Sequence, residues 1–167
     1  MTMFRILIIV AIAFFIQCCS HVTYRINSEK SAQLNEYIAM FHEEMDKRKV
    51  YLKYDHISIR FVERLQNRSH IAVAYPFMNQ HFIDVLKNYY QNAPAEEQEA
   101  IVIHEIGHVF GLNHLDTMEF KFPYEKSCPV SVMHSESRLT GCYFLNRVEY
   151  FDELATRIKK VDNGFEL

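Results

Sequence analysis

Leu34, Ile38, Phe41 and Met45 stand three or four residues apart in an otherwise polar run. That spacing predicts an amphipathic helix over Ser31–Lys49, with Asn27 or Ser28 as its cap. A second stripe, Val148, Phe151, Leu154, Ala155 and Ile158, predicts a closing helix over Leu145–Lys160 that starts at Asn146 or the turn before it. Lys159 and Lys160 suit the negative end of that helix. Alternation takes over elsewhere. His21–Ile26 interleaves β-branched and aromatic residues, Ile57–Val62 alternates like a half-buried strand, and Ile71–Tyr75 is a short apolar run, so all three predict strands. His81–Tyr89 fits an edge strand or a short helix. Asn92 and Pro94 then open a further helix, with Glu96, Glu97 and Glu99 at its positive N-terminal end and Gly111 beyond its far end.

The N-terminus carries a different pattern. One positive charge, Arg5, precedes the eleven-residue apolar run Ile6–Ile16, and Gln17-Cys18-Cys19-Ser20 follows with small residues. The run is too short to span a bilayer comfortably, which predicts a secretory signal peptide at 1–20 with cleavage after Ser20; an uncleaved signal anchor is the alternative. Export fits the sequon Asn67-Arg68-Ser69, which makes Asn67 a glycosylation candidate. Residues 21–167 suffice for one domain with its own core and are too few for two. Cys18 and Cys19 leave with the signal. Cys128 and Cys142 remain, and in an exported chain they are expected to pair rather than persist as buried free thiols. A formal net charge of −3, with no basic stripe, argues against nucleic acid as a partner. The mature chain is expected to be secreted, monomeric and without stable membrane association.

The chemistry concentrates in His104-Glu105-Ile106-Gly107-His108-Val109-Phe110-Gly111-Leu112-Asn113-His114. His104 and His108, four apart on a helix, share one face and can share one ion. Gly111 can adopt dihedrals closed to other residues, so the chain can double back and bring in His114. Three neutral imidazoles at about 2.0–2.1 Å suit zinc and leave a fourth position open. Glu105 lies beside that position without being needed as a ligand, where a carboxylate can take a proton from water.

This stretch resembles, without a mismatch, the metzincin signature His-Glu-x-x-His-x-x-Gly-x-x-His. The element order and the opening strand look most like the matrixins, the matrix-metalloprotease group. Ser131-Val132-Met133-His134 resembles the Ser-x-Met-His turn of astacins. The resemblance implies an α+β fold: a twisted mixed sheet, long helices, and a cleft between an upper subdomain (21–111) and a small, largely helical lower one (112–167). It implies one catalytic zinc on His104, His108 and His114, with Glu105 as general base and Met133 packing beneath the site. The implied activity is a secreted metalloendopeptidase acting on an extended peptide or protein substrate paired along an edge strand. Ser135–Thr140 is expected to wall the specificity pocket, and His134 is either a bystander or a fourth ligand.

The chain departs from the matrixins in its long link from His114 to Met133. It also lacks the Gly- and Asp-rich loops that carry structural metals, so structural zinc or calcium is not expected, although His70 and His81 could imitate part of such a site. The expected first strand follows the expected signal directly, so a propeptide whose cysteine occupies the zinc is not expected and a protease of this kind would be exported ready to act. The rival reading is a catalytically silent zinc-containing secreted binder, an inhibitor or toxin, using the same cleft; such a chain would be expected to lose Glu105 or a ligand, and all four residues are present.

Overall fold

A computed structural model describes residues 28–52, 57–77, 80–121, 126–135 and 141–162; the expected signal peptide, the expected strand His21–Ile26 and positions 136–140 lie outside them. The elements run α1 (Ser28–Lys47), β1 (Ile57–Val62), β2 (Ala72–Phe77), β3 (Gln80–Leu86), α2 (Lys87–Asn92), α3 (Ala95–Val109), β4 (Met118–Lys121), β5 (Lys126–Pro129) and α4 (Arg147–Asp162). The class is α+β, with four helices and a mixed sheet. Among the described residues no helix is long and apolar enough to cross a membrane.

The three-stranded sheet has the order β1-β3-β2, with β3 parallel to β1 and antiparallel to β2. This corrects the expectation for His81–Tyr89. The segment is neither an edge strand nor simply a short helix: Gln80–Leu86 is the central strand, and α2 begins at the next residue. Ile83 and Val85 are buried, but so are His81 and Asp84, and those polar residues hide the apolar run that a central strand usually shows. Asp84 is tolerated there because Arg60, directly opposite it on β1, pairs with both carboxylate oxygens.

The helical core forms where α1, α3 and α4 meet. Phe41 of α1 stacks on Phe110, just past α3, with ring centroids 5.8 Å apart, and packs against Phe151 of α4. Leu34, Phe41 and Met45 are buried as the α1 stripe requires, with Ile38 partly so. In α4 the stripe shifts by one side chain. Phe151, Leu154, Ala155 and Ile158 are buried, but Val148 is 62% exposed and Tyr150 takes the core position. Val148 sits in the first turn at the edge of the apolar face, while the Tyr150 hydroxyl reaches inward and donates to the Pro129 carbonyl at 2.9 Å.

The half after Gly111 is less helical than expected, since β4 and β5 form a two-stranded antiparallel sheet. Cys128 on β5 and Cys142 are disulfide-bonded, 14 residues apart, which ties this sheet to the turn before α4. Closing a loop of that size contributes about 3 kcal/mol in the chain-entropy account.

The end of α1 generates a stability prediction. Lys49 has φ 56°, and the bonds Val50 N–H to Met45 O and Lys49 N–H to Asp46 O close the helix around it at 3.0 Å each. This is the left-handed C-terminal cap that usually takes glycine, and it explains why the helix stops short of Lys49. Lys49→Gly should therefore raise stability by about 1 kcal/mol; a urea midpoint equal to or below the parent's would contradict that account.

Candidate metal centre

Helix α3 starts on Pro94, whose carbonyl accepts from Gln98 N at 2.9 Å, with Glu96 and Glu97 in the first turn. The Gln98 side chain turns back and donates to the carbonyls of Tyr90 and Ala93, 2.9 Å each, which fixes the entry from α2. The second half of α3 runs through the interior between the sheet and α1. Ile101, Val102, Ile103 and Ile106 are fully buried there, and His104 and Glu105 are only 6% and 7% exposed.

Helix α3 ends at Val109 and Gly111 reverses the chain with φ +81°. Leu112 N–H bonds Gly107 O at 3.1 Å and Gly111 N–H bonds His108 O at 3.0 Å, the paired bonds of a glycine-terminated helix. The reversal returns His114 to the two helical histidines. Their three Nε2 atoms lie 3.1, 3.1 and 3.3 Å apart. Nitrogens bound tetrahedrally at about 2.0–2.1 Å stand roughly 3.3–3.4 Å from one another, so the triangle already has nearly the edge length that one ion demands.

The protonation of two rings follows from their other nitrogens. His104 Nδ1 meets the Val132 carbonyl at 2.8 Å and His108 Nδ1 meets the Leu112 carbonyl at 2.7 Å. A carbonyl only accepts, so each Nδ1 carries the hydrogen and each neutral ring turns a bare lone pair toward the centre. Burial, above all, lowers the His104 pKa to about 4 and also lowers that of His108. Converging lone pairs with no proton between them repel, and a cation relieves the repulsion. Among the described residues this is the group of three or more ligand side chains close enough to hold a metal ion.

Glu105 faces the same cleft, about 810 Å³ in volume, whose walls include the three histidines, Ser69–Ala74 and Ser135. Burial pushes the Glu105 carboxyl up to about 7, against the backbone hydrogen bond from Ala74 that lowers it. A cation on the imidazoles would pull it down again.

Met133, with Ser131 and Val132, is fully buried beneath the helix. The turn holds both ligand-bearing segments: the Val132 carbonyl orients His104, and the Met133 carbonyl accepts from Leu115 N, next to His114, at 2.9 Å. His134 lies outside the histidine group, with Nδ1 3.9 Å from Asp116. His70 is exposed and bonded to Asn67, His81 is buried in β3, and neither belongs to that group. Asn67 is exposed, its side-chain oxygen accepting from Ser69 N at 3.1 Å and Ser69 Oγ at 2.9 Å.

The motif did not reveal what sits around it. The carbonyls of Val132 and Leu112 and the amide of Ala74 are backbone groups with no residue-type signal. Gly107 does have one, because a glycine inside a helix costs about 1 kcal/mol against alanine and so marks a close approach. No known family matches the chain, and neither do any curated protein or solved structure.

A Cβ added at Gly107 would collide with Met133 Sδ and stand 3.1 Å from its Cε. Gly107→Ala should therefore cost about 1–3 kcal/mol despite its better helix propensity. In a double-mutant cycle Met133→Ala should recover part of that loss, and strictly additive free energies of unfolding would show that the two side chains do not compete for the space.

Proposed function

We propose that the chain is a secreted zinc-dependent metalloendopeptidase of metzincin type. One observation carries the reading: three imidazole Nε2 atoms converge at one end of a cleft, and a buried carboxylate that is not needed as a ligand stands beside them. Three imidazole ligands with an open fourth position are a donor set of catalytic zinc sites; imidazole also takes copper, iron and nickel, so the choice of zinc rests on the motif resemblance. When bound, zinc supplies Lewis acidity, making water nucleophilic near neutral pH and polarising a carbonyl.

The chain's own residues supply the rest. His104, His108 and His114 hold the ion, the first two oriented by the carbonyls behind them. Glu105 accepts a proton from the attacking water and returns it to the leaving nitrogen. Its buried setting keeps the proton from escaping to bulk water between the two transfers.

The sheet edge beside the cleft suits an extended peptide. Ile71 O accepts from Leu86 N of the central strand, so by the period of two Ile71, Val73 and Tyr75 direct their backbone groups toward β3. Ala72 and Ala74 direct theirs to the open edge, consistent with the Ala74 bond to Glu105. A peptide laid along this edge would pair by main-chain hydrogen bonds. Cys128–Cys142 fits an exported protein.

Two measurements test the reading. Calorimetric titration of the chelator-stripped protein with zinc should saturate at one ion per chain, and His114→Ala should remove most of that binding; full binding by His114→Ala would mean the returned segment contributes nothing to the site. Glu105→Gln should still fold and hold one zinc, while cleavage of a peptide library falls by about 10²–10⁴. Equal cleavage by this variant and the parent would remove Glu105 from the mechanism. A fully zinc-loaded parent that cleaves nothing in the library would point instead to a silent binder.

A further inference from the structure

The ring of His114 is less supported than its partners. It is exposed, and its hydrogen-bond contacts among the described residues run from Nε2 to the other two imidazoles. Its position therefore depends on its backbone. That backbone is gripped on both sides from α4 and the methionine turn.

Before His114, the Asn113 carbonyl accepts from Arg157 Nη2 at 2.7 Å. After it, Leu115 N donates to the Met133 carbonyl at 2.9 Å. The two grips are joined behind the site. Arg157 Nη1 donates to Glu153 Oε1 at 3.1 Å, and Ser131 Oγ donates to Glu153 Oε2 at 2.7 Å while accepting from Met133 N at 3.0 Å. The result is a closed ring of hydrogen bonds, with His114 on the only stretch of it that faces the cleft. Arg157 and Glu153 expose just 12% and 19% of their side chains, so the pair is little screened by solvent.

We infer that Glu153 and Arg157 are positioning residues for the metal centre, setting the third imidazole against the first two. They touch neither ion nor substrate. Glu153 fixes the methionine turn, which orients His104 through the Val132 carbonyl; Arg157 fixes the peptide that carries His114. One carboxylate thus keeps the helical ligand and the returned ligand in register, and its charge neutralises a guanidinium that would otherwise oppose a cation nearby. The inference rests on the metal-binding part of the proposed function, not on peptide hydrolysis.

The test reads metal binding rather than activity. Competition titration with a chromogenic chelator gives the zinc dissociation constant, and the visible spectrum of the cobalt-loaded protein reports ligand geometry. Arg157→Ala should weaken zinc about 10–100-fold, the usual cost of losing an outer-shell partner, and should shift the cobalt bands. Glu153→Gln keeps an acceptor for Ser131 but releases the guanidinium, so a smaller loss is expected; Arg157→Lys, which can still donate to Asn113, should recover part of the affinity.

Arg48→Ala is the control. Arg48 anchors the same helix through Asp152 at 2.7 Å and takes part in none of the ring's hydrogen bonds. It should leave zinc affinity and the cobalt spectrum unchanged. Parental affinity and spectrum in Arg157→Ala, or an equal loss in Arg48→Ala, would overturn the inference by reducing the pair to helix anchoring. Should Arg157→Ala not fold, Glu153→Gln decides: a weakened site in a folded protein supports positioning, and an unchanged site refutes it.

Discussion

The bond from His104 Nδ1 to the Val132 carbonyl, 2.8 Å long and buried, is the contact on which the centre depends. It joins α3, held against the sheet, to the turn that belongs with α4. It also fixes the tautomer, so Nε2 points inward with a free lone pair. His108 has its own carbonyl, but that one, Leu112, comes from the reversal at Gly111 within the same segment. Of these two bonds, only the one from His104 reaches the methionine turn. If the turn moved, the first ligand would lose its proton acceptor and the third would lose the Leu115 clasp at the same time.

This arrangement costs stability, and the fold offsets it locally. A nearly buried histidine and carboxyl side by side in a helix are unfavourable unless partnered. His104 has its carbonyl, and Glu105 has the Ala74 amide. Gly107 gives up helix propensity so that Met133 can lie directly beneath the ligands. The surrounding aliphatic wall of Ile101, Val102, Ile103 and Ile106 supplies apolar burial at the same level of the helix. The disulfide constrains the segment that delivers the methionine turn, the part of the lower half with the shortest regular elements.

How much was legible in the sequence follows from where each signal lives. The convergence of His104, His108 and His114 could be read because it follows from a spacing on a helix and a glycine after it, and spacing survives in one dimension. Helices α1 and α3 and strands β1 and β2 were legible for the same reason. The central strand was not, because His81 and Asp84 break its apolar run, and the reason Asp84 can stay buried is Arg60, twenty-four residues away. The β4 strand did carry an alternation, Met118-Glu119-Phe120-Lys121, but four residues are too few to weigh against loop. Val148 looked like core because periodicity locates a face, not its edges. The ring through Glu153 and Arg157 had no sequence signal: an i, i+4 acid–base pair on a helix is usually a solvated ornament.

The backbone of β2 links substrate and base more tightly than the side chains suggest. Ala74 gives its amide to Glu105, and its carbonyl, on the same side of the strand, faces the open edge. In the proposed reading, the strand that would align a peptide is therefore the strand that steadies the general base. Small displacements of β2 would move both together, which preserves their relative geometry. Pairing with β3 resists such displacement, and β3 is itself held from the other side by β1. The central strand thus positions the cleft without contributing a described residue to it, and its buried Asp84, paired with the exposed Arg60, lies one residue beyond Ile83, the partner of Ala74. Tolerating a costly buried carboxylate at that level of the sheet is physically reasonable when the alternative is a β1–β3 pairing free to slip, since a one-residue slip would turn Asp84 away from Arg60 and leave its charge unpaired.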